Sequence, residues 1–279
     1  MTRFLVVPQW QGSPSARSMT LIDGADAIAD DLPRSATSRV DVPMEAGESL
    51  DTGIRRFSSL QRTRDLISAA LSPADDAETD AAPRERFVVI GGDCGVAVPA
   101  IAEAAAHHPG LAVVWFDAHA DLHTPATSPS GAFAGMALRA VTGDGPLASV
   151  VPVTPDRIVL AGAREFDDAE ADHLRESGIT SLSVDQLADP AVLADAVAAT
   201  GAEAVYVHVD LDVLDPAVVT GVSQSVPFGL EVAALTSAVA ALRERLPLVG
   251  ASITGFAPAH PGAAVEDMGT VLRVLGSVA

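Results

Sequence analysis

Two short acidic runs, Asp117-Ala118-His119-Ala120-Asp121 and Asp210-Leu211-Asp212, decide the reading of this chain. Each follows an uninterrupted apolar segment: Leu111-Ala112-Val113-Val114-Trp115-Phe116 before the first, Ala204-Val205-Tyr206-Val207-His208-Val209 before the second. Short runs apolar on every residue read as strands buried on both faces, which is the pattern of a parallel sheet. In such a sheet, residues just past the C-terminal ends of neighbouring strands converge on one crevice. Four carboxylates gathered there, beside a single imidazole, repel one another unless cations lie between them. Oxygen ligands with one imidazole suit Mn²⁺ better than a thiophilic metal. A single Asp-x-His-x-Asp could be a helix cap with loop acids; two such clusters, each closing a buried strand, favour a metal site.

The rest of the chain extends this pattern. Strands are expected at 4–7, 39–43, 87–90, 113–117, 157–161, 181–184, 205–209 and 248–253, and helices at 16–32, 53–71, 96–107, 132–140, 167–177, 191–199, 232–246 and 265–275. The alternation argues for a three-layer α/β/α sandwich with a mostly parallel sheet. The Ala/Pro/acid-rich stretch 72–84 is expected as a surface loop within one domain spanning 1–279. Gly91-Gly92 permits a tight strand-to-helix turn, and Asp93 is expected to accept backbone N–H bonds there. His208, inside a strand, reads as a satisfied core residue that shares a face with Asp210.

Composition narrows the function classes. Asp plus Glu is 37 against 17 Lys plus Arg, a net charge of −20, which argues against nucleic acid and against an anionic membrane. Hydrophobic residues make up 48 % and aromatics only 4 %, so Val, Ala, Leu and Ile must fill the core. Cys94 is the sole cysteine, which excludes an intramolecular disulfide. No apolar run reaches membrane length and the start lacks a signal-peptide pattern, so a cytoplasmic location is expected.

Gly91-Gly92-Asp93-Cys94, Asp117-Ala118-His119-Ala120-Asp121 and Asp210-Leu211-Asp212-Val213-Leu214-Asp215-Pro216, in this order, resemble the three signature blocks of the ureohydrolases: arginases, agmatinases and formiminoglutamases. The resemblance implies an eight-stranded parallel sheet and two Mn²⁺ ions. It also implies a metal-bound hydroxide that attacks a guanidinium or formimino carbon and so cleaves a linear C–N bond. Carried over, Asp117 and Asp210 bridge the ions, His119 and Asp212 complete one shell, and Asp121 and Cys94 complete the other, with Asp121 and His119 as the catalytic pair. Asp167, Glu170 and Ser130 match residues that hold an amino-acid-like substrate, and His123 stands where arginases place an Asn. The resemblance further implies a trimer or hexamer.

Three departures from that pattern stand out. Cys94 replaces a His ligand. A thiolate would add a fifth negative charge to Asp117, Asp121, Asp210 and Asp212, and sulfur suits a softer ion. The ion beside Cys94 is therefore expected to be weak, absent or exchanged. Ala132 and Ala134 stand where the family has Asn and His. Gly255, in Gly255-Phe256-Ala257-Pro258, stands where a Glu contacts the guanidinium, and restoring that Glu is expected to raise activity on guanidino compounds. Two other classes stay open: a degenerate homologue that binds metal with little or no turnover, and a Mn²⁺ phosphoesterase, for which no basic group is evident.

Overall fold

The computed structural model describes residues 2–72 and 85–279. Most of the expected loop 72–84 therefore lies outside the described residues. The eight strands are β1 (Arg3–Val7), β2 (Thr37–Arg39), β3 (Phe87–Gly91), β4 (Leu111–Phe116), β5 (Ile158–Ala161), β6 (Thr180–Leu182), β7 (Ala204–Asp210) and β8 (Leu248–Thr254). They form one sheet in the order β2-β1-β3-β8-β7-β4-β5-β6. Every pairing is parallel, so the sheet is wholly parallel rather than mostly so. Parallel strands need crossover helices, and these are α1 (Thr20–Asp30), α2 (Phe57–Leu71), α3 (Ala97–His107), α4 (Ala137–Val141), α5 (Asp168–Ser177), α6 (Pro190–Ala199) and α7 (Val232–Arg245), while α8 (Ala264–Val278) follows β8 and packs back on the sheet.

Side-chain alternation along each strand builds two separate cores. Phe4, Val6, Val88, Ile90, Val114, Phe116, Val207 and Val209 face α1, α6, α7 and α8. Leu5, Val7, Val89, Trp115 and Tyr206 face α2, α3 and α4. The result is the three-layer α/β/α sandwich the sequence predicts. Its central strands β3, β4 and β7 are buried at every position. Between β3 and β4 the chain crosses to the far side of β8 and β7, and that change of direction opens a crevice above the carboxyl ends of the four central strands.

The boundaries differ where local pattern is weak. The strand expected at 39–43 is β2 at Thr37–Arg39, an edge strand whose last partner is Val6. Val40 and Val42 are buried all the same; Val40 N still donates to Val6 O at 2.9 Å, but beyond it the apolar pattern reports packing. The first helix starts at Thr20, after turns at 16–19, and the helix expected from Ala132 begins as a tight turn at Ala134–Met136.

Candidate functional site

The carboxyl ends of β3, β4, β7 and β8 meet in a cavity of about 260 Å³. Its lining includes every residue singled out from the sequence: Cys94, Asp117, His119, Asp121, His123, Ser130, Asp167, Glu170, Asp210 and Asp212. Register explains the meeting of the two acidic runs. Phe116 on β4 pairs with Val209 on β7, so Asp117 and Asp210 follow side by side.

Backbone N–H groups aim the acids. Asp117 Oδ1 accepts from His119 N at 2.8 Å, Asp210 Oδ1 from Asp212 N at 3.1 Å, and Asp212 Oδ1 from Ala118 N at 3.1 Å. The last of these bonds joins the two runs. His119 Nδ1 lies 3.3 Å from Asp117 Oδ1 and 3.1 Å from Asp212 Oδ2. Trp115 Nε1 donates to Asp117 Oδ2 at 3.2 Å, and Thr254 Oγ1 donates to Asp210 Oδ2 at 3.0 Å. The Cys94 thiol donates to the same Asp210 oxygen at 2.9 Å and lies 3.8 Å from Asp117 Oδ2. Asp121 has a left-handed φ of 55°, and its Oδ2 is buried with no hydrogen-bond partner. An unpaired buried carboxylate oxygen is costly.

Burial and crowding raise these acids. Burial, with Asp212 beside it, pushes Asp210 up to about 7. Burial and Asp117 push Asp212 up to about 6. Burial, then Asp117, raises Asp121 well above the carboxylate range. Cys94 is raised by burial and by Asp210, Asp121 and Asp117, so its thiol stays protonated in the absence of a cation. For His119, burial works against the charged ring, but the hydrogen bonds to Asp117 and Asp212 override it and push it up to about 12. A divalent cation among these groups reverses the balance. The donor set fits one: carboxylate oxygens with one imidazole, and a buried oxygen that lacks a partner.

The neighbours divide into supports and cavity wall. Asp93 is the turn residue expected, taking Gln9 Nε2 at 2.8 Å, Gly12 N at 2.9 Å and Gly95 N at 3.0 Å. Asp215 shapes the turn after β7 by accepting from Ala217 N and Gly229 N. His208 is fully buried, stacked 3.8 Å from Trp115 and bonded through Nδ1 to Ser252 at 2.8 Å, and burial pushes it down to about 3. It is a neutral core residue, although its ring lies near Cys94 and Asp117. Nearer the mouth, His123 Nε2 is 2.9 Å from Asp167 Oδ2 and 3.6 Å from Glu170 Oε2. Several contributors escape a reading by sequence. Glu165 lies 3.9 Å from His119, and Ser223 and Gln224 close the wall. Arg164 donates to the carbonyls of Gly162, Asp212, Val213, Val226 and Pro227, tying down the loop beyond β7. Only the proximity of Glu165 and Arg164 to the Asp167 segment offered a signal.

Gly255 does not behave as a mere truncation. Its φ is +84°, and a Cβ there would lie 2.1 Å from Asp210 Oδ1. Asp210 fills the space that a side chain at 255 would need. The expectation that a Glu could simply be restored is corrected on that ground.

The Arginase family profile matches residues 24–268. The chain is 33 % identical to an arginase of Bacillus caldovelox over 206 residues, which cover 68 % of this chain and 67 % of that protein. It is 31 % identical to a Staphylococcus aureus arginase over 201 residues, 68 % of this chain and 64 % of the other. The aligned part thus spans about two thirds of these relatives. Among solved structures, Entamoeba histolytica arginase in complex with L-ornithine superposes with a TM-score of 0.84 at 20 % identity, covering 99 % of this chain and 97 % of the other. That likeness establishes the fold.

Two outcomes follow for the acids. A carboxyl whose folded pKa lies above its unfolded value favours folding below the unfolded value, and that contribution is lost as pH rises through the folded one. Asp210 and Asp212 set this window from the ordinary 3.8 to about 6–7, and His119 acts in the same direction up to about 12. The melting temperature of metal-stripped protein is therefore expected to fall as pH rises from about 4 to about 7, and saturating divalent cation should flatten that slope. A calorimetric melt at each pH, with and without the ion, checks it. Gly255→Glu should weaken divalent-ion binding, since it displaces Asp210 and adds about 1–2 kcal/mol of left-handed strain. Titration calorimetry that finds undiminished affinity would reinstate the simpler expectation.

Proposed function

The chain belongs to the arginase family, and on that premise we propose that it is a metal-dependent hydrolase acting on a linear C–N bond of a guanidino or related small molecule. The observation that carries the proposal is the character of the cavity. It combines the buried strand-end acids Asp117, Asp121, Asp210 and Asp212 with the mouth acids Glu165, Asp167 and Glu170, and neither Lys nor Arg lines it. A planar cation is attracted to such a cavity and a phosphoester is repelled, so the phosphoesterase reading loses its support. The close geometry of the acids, with Asp121 Oδ2 left without a partner, favours a working site over a degenerate one.

In this proposal the metal is Mn²⁺, two ions per chain. Asp117 and Asp210 would serve both ions, His119 and Asp212 would add to one, and Asp121 and Cys94 would add to the other. When bound, the pair supplies Lewis acidity and lowers the pKa of water at neutral pH. The chain's own residues do the rest. Asp121 would give one carboxylate oxygen to its ion, and the other would take a proton from the attacking water and deliver it to the leaving amine. His119 Nδ1 lies between Asp117 and Asp212, where it would share their ion, and Glu165, 3.9 Å from Nε2, lies on the side of the ring where a proton can pass toward the mouth. The fixed carboxylates stabilise the cationic carbon end of the substrate without reorganising. Ser130, Asp167, Glu170 and His123 form the part of the cavity that receives the substrate's other end. Cytoplasmic residence and assembly as a trimer or hexamer belong to the same proposal and rest on resemblance. No helix among the described residues is long and apolar enough to cross a membrane.

The proposal is tested by urea or ammonia release from a panel of guanidino and formimino compounds with Mn²⁺ added; no release from any of them sinks it. Asp210→Ala should abolish both metal binding and hydrolysis, because one carboxylate serves two ions; metal analysis of the purified variant decides this. The two ions should also differ. Cys94 donates its S–H to Asp210 Oδ2 in a 2.9 Å hydrogen bond, and the thiol's raised pKa must be overcome before sulfur can bind an ion. The ion beside Cys94 should therefore be weak or exchanged for a softer metal. Cys94→His should raise Mn²⁺ stoichiometry toward two per chain, whereas two equal Mn²⁺ sites in the unaltered protein would refute the asymmetry.

A further inference from the structure

The floor of the cavity has a second layer. Cys94 and Asp117 line the cavity, and His208 lies behind them, two residues before Asp210 on β7. One ring nitrogen of His208, Cys94 Sγ and an Asp117 carboxylate oxygen lie within 4.8 Å of one another. All three residues are buried, and His208 is fully so. Its Nδ1 is spent on Ser252 Oγ at 2.8 Å, while its Nε2 has no hydrogen-bond partner. With Nδ1 donating to the serine hydroxyl, Nε2 is a bare lone pair. A buried ring nitrogen without a partner is costly, and a cation is the partner that suits it.

Trp115 braces two of these groups. Its ring stacks 3.8 Å from that of His208, and its Nε1 donates to Asp117 Oδ2 at 3.2 Å. Metal ligands are held in this way, by neighbours that fix the ring and the carboxylate behind the ligating atom. The charge also fits one ion. A thiolate and a carboxylate carry two negative charges and the imidazole none, so a divalent cation leaves the layer neutral and spares it the burial of a net charge. Sulfur, imidazole nitrogen and one oxygen suit Zn²⁺ better than Mn²⁺. Cys94 Sγ and Asp117 Oδ2, 3.8 Å apart, already stand at about the separation of two ligands on one zinc ion, whose bonds are about 2.0–2.3 Å long. On binding, sulfur exchanges its proton for the ion. The S–H bond to Asp210 is given up, and the proton leaves to water through the cavity that Cys94 lines.

We infer that Cys94, Asp117 and His208 form a site for a thiophilic divalent cation, Zn²⁺ in preference to Mn²⁺. This is the softer ion expected beside Cys94, drawn to the His208 side of the sulfur. The inference rests on the proposed metal centre for the place of the ion, adds a ligand that centre lacks, and asks no step of hydrolysis of it.

The test locates the ion in the unaltered protein, stripped of metal, loaded with Zn²⁺ and crystallised. Anomalous diffraction at the zinc edge is expected to show a peak bonded to both Cys94 Sγ and His208 Nε2, about 2.3 Å from sulfur and about 2.0–2.1 Å from nitrogen. In solution, Co²⁺ standing in for Zn²⁺ should give a sulfur-to-metal charge-transfer band that excess Mn²⁺ does not remove. Cys94→Ser should abolish the band. His208→Phe, with its fold checked by thermal melting, should weaken Co²⁺ binding read from the band about tenfold or more. The diffraction map needs no variant and decides alone where His208→Phe fails to fold. A zinc peak on Cys94 with His208 bonded to nothing overturns the inference, as does no peak beside Cys94, a band that Mn²⁺ removes, or an affinity unmoved in His208→Phe. The two readings fail separately. Zinc on Cys94 and His208 in a protein that releases neither urea nor ammonia keeps this site and rejects the hydrolase. Hydrolysis with Mn²⁺, and His208 bonded to no ion after zinc loading, does the reverse.

Discussion

Burying like charges together is the constraint from which the rest of this structure follows. Asp117, Asp121, Asp210 and Asp212 are each less than a tenth exposed and lie within one cavity floor. Removing one carboxylate from water is expensive, and removing four without compensation is more so. The protein supplies part of the compensation itself, through the N–H groups of Ala118, His119 and Asp212, the Trp115 ring, the Thr254 hydroxyl and the imidazole of His119. What remains is concentrated at Asp121, whose Oδ2 has no partner. A cluster left short of positive charge in this way is a cradle for cations, and the shortfall itself is the driving force for binding them.

Such a cluster needs a scaffold that cannot relax to spread the acids apart. The wholly parallel sheet provides it. β4 and β7 are neighbours in register over six pairs, so Asp117 and Asp210 cannot separate without breaking the ladder. β3 and β8 lie beside them and deliver Cys94 and Thr254 to the same level. Apolar packing covers both faces of these central strands and leaves them little room to shift. The price is paid in loop geometry: Asp121 takes a left-handed backbone, and Arg164 spends its guanidinium on five carbonyls to hold the loop beyond β7.

The layered fold and the floor of the site were legible in the sequence because doubly buried strands are apolar on every residue, and an acid directly after such a run stands out. β2 was misplaced for the same reason in reverse. At the sheet edge Thr37–Arg39 carries no apolar run, while the buried Val40 and Val42 beside it do. Contacts between distant segments were not legible. Nothing in the local pattern reveals that Thr254 bonds Asp210, that Glu165 approaches His119, or that His123 meets Asp167 and Glu170. Those pairs depend on how the loops fold over the strand ends, and loop paths carry no periodicity to read.

Two of the departures seen in the sequence turn out to be one feature. Cys94 and Gly255 lie far apart in the chain, yet both face Asp210: the thiol donates to its Oδ2 at 2.9 Å, and a Cβ at 255 would reach its Oδ1 at 2.1 Å. Asp210 leans into the room that glycine leaves and is held there by sulfur and by the Thr254 hydroxyl. Residues that share one partner do not act independently. Changing Cys94 alone removes a restraint while the space at 255 stays open, and filling 255 alone displaces Asp210 from the thiol and hydroxyl that hold it. The floor keeps its acids, but the carboxylate at its centre has settled into surroundings fitted to these two residues together. Gly255 therefore reads as part of how this chain positions Asp210, rather than as a lost contact to substrate.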